Sequence, residues 1–129
     1  TLSKTMPRMG VQKLDPSGVS RDPLVVHRYK NDPLVHHGRL SARLVFEMFG
    51  AMKRAMDFVG TVRLPVLLLH GGQDKMTSID GSRQYYKNLA AQDKRLRTYP
   101  NLYHEVFNEP EHKHILRHTL NWILPRIPQ

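Results

Sequence analysis

Four consecutive aliphatic residues, Val66-Leu67-Leu68-Leu69, follow Arg63-Leu64-Pro65 and end at the turn His70-Gly71-Gly72. A strand with one wet face alternates apolar and polar side chains, so a short run with no polar position describes a strand buried on both faces, as in a parallel sheet covered by helices. A parallel neighbour is reached only through a crossover, usually a helix. The chain supplies one: Gly81 to Ala91 suits a helix, with Ile79, Tyr85, Tyr86 and Leu89 near one face. Arg95 to Tyr99 then alternates like a second strand. A last helix is expected to open near Pro110, a residue favoured at the first helical position. It places Ile115, Leu116, Leu120, Ile123 and Leu124 on its apolar side before Pro125 stops it. From residue 63 the order is strand, helix, strand, helix, which is the α/β class.

The first forty residues read differently. Pro7, Gly10, Asp15-Pro16-Ser17-Gly18, Asp22-Pro23 and Asp32-Pro33 interrupt any long helical period, so short helices and turns are expected here, and no sheet. From Leu40 to Val59 the apolar residues Leu40, Leu44, Val45, Met48, Met52, Ala55, Met56 and Val59 recur at three- and four-residue steps, the mark of an amphipathic helix. Gly50 within it marks a possible bend. A two-stranded parallel unit has unpaired edges and bare helix faces, so the sheet is expected to continue in residues that precede Thr1.

Composition narrows the function classes. The 129 residues, 15.0 kDa and 40% hydrophobic, are enough for one small globular domain. No apolar run approaches the roughly 20 residues of a membrane helix, and no signal pattern opens the chain. With no cysteine, a disulfide framework and a thiolate metal site are excluded; cytoplasmic placement is the expectation that follows. The net charge of +9 is spread, 10 basic against 5 acidic residues up to residue 60 and 10 against 6 beyond it. Without a basic run interleaved with aromatics, a solvated surface is favoured over nucleic-acid binding. Weak, transient contact with anionic membranes stays open.

The chemistry lies at the strand ends. In open α/β sheets, reacting groups gather beyond the carboxyl ends of strands, and Leu67-Leu68-Leu69-His70-Gly71-Gly72-Gln73-Asp74 delivers an acid there. A turn-forming Asp is the commoner role for such a residue. The second strand repeats the geometry with Tyr103-His104-Glu105. Adjacent strands ending in Asp and His can set a carboxylate beside an imidazole, fixing its tautomer and stabilising its protonated form. In the order Ser, Asp, His only the serine is absent. No Gly-x-Ser-x-Gly occurs, and Gly18-Val19-Ser20-Arg21-Asp22 lacks both the second glycine and a preceding strand, so Ser20 is rejected as the nucleophile. His70-Gly71-Gly72 introduces the acid and is read as a turn, not an oxyanion loop.

Taken together, Tyr29-Lys30-Asn31-Asp32-Pro33-Leu34-Val35, Leu64 to Asp74, Gly81-Ser82, Asp93-Lys94 with Tyr99, and Tyr103-His104-Glu105 with Asn108-Glu109 resemble the monoacylglycerol lipase and lysophospholipase branch of the α/β-hydrolases. The resemblance runs from about residue 20 to residue 124. It implies the C-terminal portion of that fold, the last parallel strands with flanking helices, plus a mostly helical cap. Residues 1–58 are then the cap and return helix, and 59–129 the end of the core. It also implies Asp74 as the triad acid and His104 as the general base, with Met76 and Thr77 against the acyl chain and Tyr29 near the polar head. The substrate implied is a lipid ester, monoacylglycerol or lysolipid, cleaved by acyl transfer without metal or organic cofactor. The serine and oxyanion amides fall in a preceding N-terminal part of the core, without which residues 1–129 are expected to be inactive. A small-ester esterase, a peptidase, or a non-catalytic binding protein of the same fold remain as alternatives.

Three signals are set aside. His114 and His118 have i, i+4 zinc-ligand spacing, with His112 and Glu111 nearby, but such pairs are common on solvated helix faces. His36-His37 is read as surface. Met48 is read as packing, whereas Met52 and Met56 suit either packing or a soft lipid-facing surface.

Overall fold

The computed structural model describes residues 2–127; Thr1, Pro128 and Gln129, at the outer ends of the two expected segments, lie outside the described residues. The elements are α1 (Leu2–Thr5), β1 (Gly10–Gln12), α2 (Pro23–Asn31), β2 (Leu40–Ser41), α3 (Ala42–Phe58), β3 (Val66–Gly71), α4 (Ile79–Asn88), β4 (Lys94–Tyr99) and α5 (His112–Ile123). Short 3-10 turns stand at Pro16–Gly18, Val59–Thr61, Val106–Asn108 and Leu124–Arg126.

β3 and β4 pair in parallel, Val66 opposite Lys94 through Gly71 opposite Tyr99, and α4 is their crossover. The pairing outlasts the strands, because Gly72 N–H donates to Tyr99 O at 2.7 Å and Gln73 N–H to Leu102 O at 2.9 Å. Successive strand residues point to opposite faces, and β3 packs accordingly. Val66 joins Val59, Leu89 and Ala91 on one side, while Leu69 joins Leu102, Val106 and Ile115 on the other. Each buried Val, Leu or Ile in these clusters contributes about 1.5–3 kcal/mol. Both faces of β3 thus carry a cluster, but Val66 to Leu69 are only half-buried, less than the full burial expected of the run. A cavity of about 440 Å³ beside Leu67, Leu69, Phe107 and Trp122 opens on the α5 side.

Side chains close the helix ends. The Asp22 carboxylate accepts from Leu24 N–H at 2.8 Å, and Pro23 occupies the first turn of α2, where a missing N–H costs nothing. Ser41 and Ser78 start α3 and α4 by accepting from Leu44 N–H and Asp80 N–H. At the far end of α4, the Lys94 ammonium donates to the carbonyls of Tyr86 and Leu89 at 3.0 and 2.6 Å, so the first residue of β4 caps the helix that precedes it. Arg126 grips Asp93 through two bonds of 2.6 and 2.7 Å, tying the end of α5 to the start of β4.

Three expectations are corrected. The first forty residues do join a small sheet: β1 pairs antiparallel with β2, Gly10 opposite Ser41, and α1 packs on α3 beside it. Strands of two or three residues are too short to show a period, so the punctuation hid them. α3 runs through Gly50 without interruption, from Ala42 to Phe58. α5 begins at His112, with Pro110 in the preceding turn. Of its expected apolar side only Ile115 is buried, whereas Leu116, Leu120, Ile123 and Leu124 are 39–54% exposed. Among the described residues no helix is long and apolar enough to cross a membrane.

Gly71 and Gly81 should respond oppositely to the same substitution. A Cβ on Gly71 would stand 2.0 Å from Tyr103 O, whereas one on Gly81 meets nothing within 4 Å. Thermal or urea unfolding should show Gly71→Ala destabilised by about 3 kcal/mol. Gly81→Ala, inside a helix, should be unchanged or more stable by up to about 1 kcal/mol. Equal stability of the two variants would refute the close approach of the two strand-end loops.

Candidate active site

Asp74 follows the Gly71-Gly72 turn, and its carboxylate is fully engaged. Oδ1 accepts from Met76 N–H at 2.7 Å and Thr77 N–H at 3.1 Å. Oδ2 accepts from the Thr77 hydroxyl at 2.7 Å and from His104 Nδ1 at 2.8 Å. A carboxylate only accepts, so the proton of the ring sits on Nδ1 and Nε2 carries the free lone pair. Burial raises the Asp74 carboxyl, but the bonds from Thr77, His104 and Met76 outweigh it and lower it to about 2. The acid side chain is 4% exposed and the imidazole 38% exposed, a shielded anion behind an accessible base.

The loop that carries His104 is held from two sides. His104 N–H and Glu105 N–H donate to Gly18 O and Val19 O at 3.4 and 2.8 Å, docking it on the Pro16–Gly18 turn. Glu109, wholly buried, accepts from Tyr103 N–H at 2.7 Å and from Arg21 Nε at 2.9 Å. Leaving a buried charge or its partner unpaired costs roughly 3–5 kcal/mol, so this carboxylate is a clamp between the loop and the Val19–Arg21 segment. Arg21 also reaches Glu111.

Sequence reasoning missed the roles of Glu109 and His70. His70 is buried, with Nδ1 2.8 Å from Ser82 Oγ and Nε2 3.3 Å from Thr77 O. A carbonyl only accepts, so Nε2 holds the proton and Nδ1 accepts from Ser82. The ring pins the loop that supplies the donors to Asp74, and Nε2 lies 3.6 Å from Asp74 Oδ2. Only an unusual signal pointed to it, a histidine closing an otherwise aliphatic strand.

The other expected residues divide between two cavities. Met76 and Thr77 line a groove of about 610 Å³ with Val45, Met48, Phe49 and Met52 of α3. Thr77 thus serves the acid and the groove together. Met48, expected as packing, is 42% exposed and faces this groove instead, because the α3 stripe is wider than the surface covering it. Tyr29 lies apart, in a neighbouring cavity of about 320 Å³. Ser20 is 2% exposed, donating to Asn108 O at 2.8 Å and accepting from Asp22 N–H at 3.0 Å, a buried tie with no free hydroxyl. On α5, the His114 and His118 rings stand 4.0 Å apart. Burial, then His114, Arg97, Arg95 and Arg117, keep His118 below the usual imidazole range, surroundings that repel a cation. Among the described residues no group of three or more His, Cys, Asp or Glu is placed to hold a metal.

Comparison with known proteins shows what the chain is similar to. Residues 1–111 match the family Hydrolase_4, described as Serine aminopeptidase, S33. A monoacylglycerol lipase of Mycolicibacterium smegmatis is 40% identical over 126 residues, covering 98% of this chain and 45% of that protein. The crystal structure of Paleococcus ferrophilus monoacylglycerol lipase superposes with a TM-score of 0.88 at 34% identity, over 98% of this chain and 49% of that one. A soluble variant of monoglyceride lipase from Saccharomyces cerevisiae, crystallised with a substrate analog, shares the fold at 19% identity, with a TM-score of 0.81 over 99% of this chain and 45% of that one. The chain spans about half the length of these relatives.

Because the Asp74 carboxyl is lowered in the folded state, its ionised form stabilises the fold above the unfolded value of 3.8. That contribution is lost as pH falls through about 2. The melting temperature of the parent should therefore exceed that of Asp74→Asn most above pH 4, with the gap closing between pH 4 and pH 2. A gap independent of pH would contradict the assigned hydrogen bonds.

Proposed function

This chain belongs to the α/β-hydrolase family described as Serine aminopeptidase, S33, and on that footing we propose that it is the C-terminal region of a serine ester hydrolase that releases a fatty acid from monoacylglycerol or a lysolipid. Residues 1–58 are the cap and return helix, 59–129 the end of the core, and the nucleophilic serine lies in a part of the protein that precedes them. The observation that carries the reading is the 2.8 Å bond between His104 Nδ1 and the shielded Asp74 carboxylate.

In this reading His104 Nε2 takes the serine proton as the oxygen attacks the ester carbonyl, and the Asp74 anion stabilises the imidazolium. The ring then gives that proton to the departing alcohol, leaving an acyl-serine. Water, deprotonated by the same nitrogen, cleaves it to the fatty acid. The groove along Val45, Met48, Phe49, Met52, Met76 and Thr77 takes the acyl chain, being apolar and next to the acid. The exposed Phe46 and Phe49 of α3, with Arg54 on the same helix, support transient contact with an anionic bilayer.

In the full-length protein, Asp74→Asn and His104→Ala should each lower kcat for ester hydrolysis by about 10⁴-fold while leaving the fold intact by circular dichroism. A fluorophosphonate probe should label one upstream serine, and p-nitrophenyl esters should be cleaved faster as the acyl chain lengthens. Turnover of either variant near that of the parent would overturn the roles; a flat chain-length profile would favour the small-ester or peptidase alternative. In flotation assays the protein should rise with phosphatidylserine vesicles and not with neutral ones. No flotation with either removes membrane contact from the proposal.

A further inference from the structure

The cavity that holds Tyr29 is unlike the acyl groove. Its polar walls are Lys13, Tyr29, Lys30, His36 and His37. Leu14 and Leu40 line it and the groove alike, so the two meet along those side chains. Lys30 also lines a third cleft that extends to Tyr103, the neighbour of His104. The cavity is therefore continuous with the groove that Thr77 lines through the two leucines, and with the cleft that Tyr103 lines through Lys30.

Its charge is almost of one sign. Lys13 and Lys30 form no salt bridge with any described residue, and the Tyr29 hydroxyl makes no hydrogen bond to one. The acids nearby are occupied. Asp15 accepts from Ser17 N–H at 2.9 Å, and that bond, with Lys30 and Lys75 acting at longer range, holds its carboxyl below the usual range. The Asp32 carboxylate accepts from Leu34 N–H at 2.8 Å. His37 Nε2 donates to Asp32 O at 3.1 Å and His36 Nε2 to Arg39 O at 3.4 Å, so both rings are held by backbone carbonyls as walls of the cavity. Unpaired ammonium groups add nothing to the binding of a neutral glycerol, whereas a phosphate gains charge-assisted hydrogen bonds from them and from the phenol.

We propose that this pocket takes the phosphate of a lysolipid head group, so that the preferred ester is an anionic lysolipid and not neutral monoacylglycerol. The inference rests on the ester-hydrolase reading above. Water would split the acyl ester into a fatty acid, whose proton goes to solvent, and a glycerol phosphate that keeps its phosphate bonds. Lys13 and Lys30 act on the head group alone.

The test compares kcat/KM of the full-length protein for 1-oleoylglycerol and 1-oleoylglycerol 3-phosphate in micelles of a neutral detergent. The phosphate ester should be favoured at least tenfold. A Lys13→Gln, Lys30→Gln double variant should lose that preference while keeping its rate on 1-oleoylglycerol within twofold. Hydrolysis of both esters at equal kcat/KM, unaffected by the double variant, overturns the head-group pocket and leaves the hydrolase reading standing. Hydrolysis of neither overturns that reading, and calorimetry then decides the pocket. Glycerol 3-phosphate binding that is lost in the double variant supports it, and no binding overturns it. Inorganic phosphate bound as tightly as glycerol 3-phosphate would make it a site for free phosphate, which also overturns the lipid assignment.

Discussion

Gly71 and Gly72 lie against the carbonyl groups of Tyr103 and Pro100 so closely that any Cβ would overlap backbone. That approach sets the spacing between the two strand-end loops, and much of the site depends on it. With the loops in contact, β3 and β4 extend their ladder into Gly72 and Gln73, and Asp74 emerges within hydrogen-bond reach of an imidazole thirty residues further on. A larger residue at either glycine would push the loops apart by more than a hydrogen bond tolerates, since such bonds weaken steeply beyond about 3.2 Å.

Two buried carboxylates divide the work around that contact. Asp74 spends its lone pairs on one short loop and one imidazole, so its charge is satisfied locally while still facing His104. Glu109 touches neither the groove nor the imidazole. It holds the backbone of Tyr103 and the side chain of Arg21, linking the base-bearing loop to a segment 88 residues earlier in the chain. A buried ion pair is weak evidence of net stability, but it specifies one arrangement, because every misplaced alternative strands a charge. Here the arrangement specified is the seating of the His104 loop on the turn at Pro16–Gly18.

The apolar surface has the same two-part logic. On the α4 side Val59, Leu89 and Ala91 make a closed cluster, whereas on the α5 side Leu116, Leu120 and Leu124 stand half-exposed and an open cavity lies beside Trp122 and Ile123. In the proposed reading those side chains pack against preceding strands and helices of a larger core, in keeping with relatives about twice as long as this chain. The groove under α3 is a different kind of apolar surface, since it is concave and is lined by Thr77, whose hydroxyl donates to the acid.

The sequence by itself determined the parallel strand pair, the crossover helix, the long amphipathic helix and the two residues that close on each other, Asp74 and His104. Those rest on local properties: an aliphatic run too short for a helix, a 3.6-residue stripe, a glycine turn and the order of acid and base. It was silent on β1 and β2, whose two or three residues carry no period, and on how little of α5 is covered, because burial depends on what lies opposite. It was silent too on His70 and Glu109. A histidine that pins a loop and a glutamate that joins distant segments look in sequence like any other polar residues, and their partners lie 12 and 88 positions away. Tertiary structure alone also decided that Tyr29 sits with Lys13 and Lys30 in a cavity of its own, apart from Met76 and Thr77, since only folding brings together side chains on separate turns and helices.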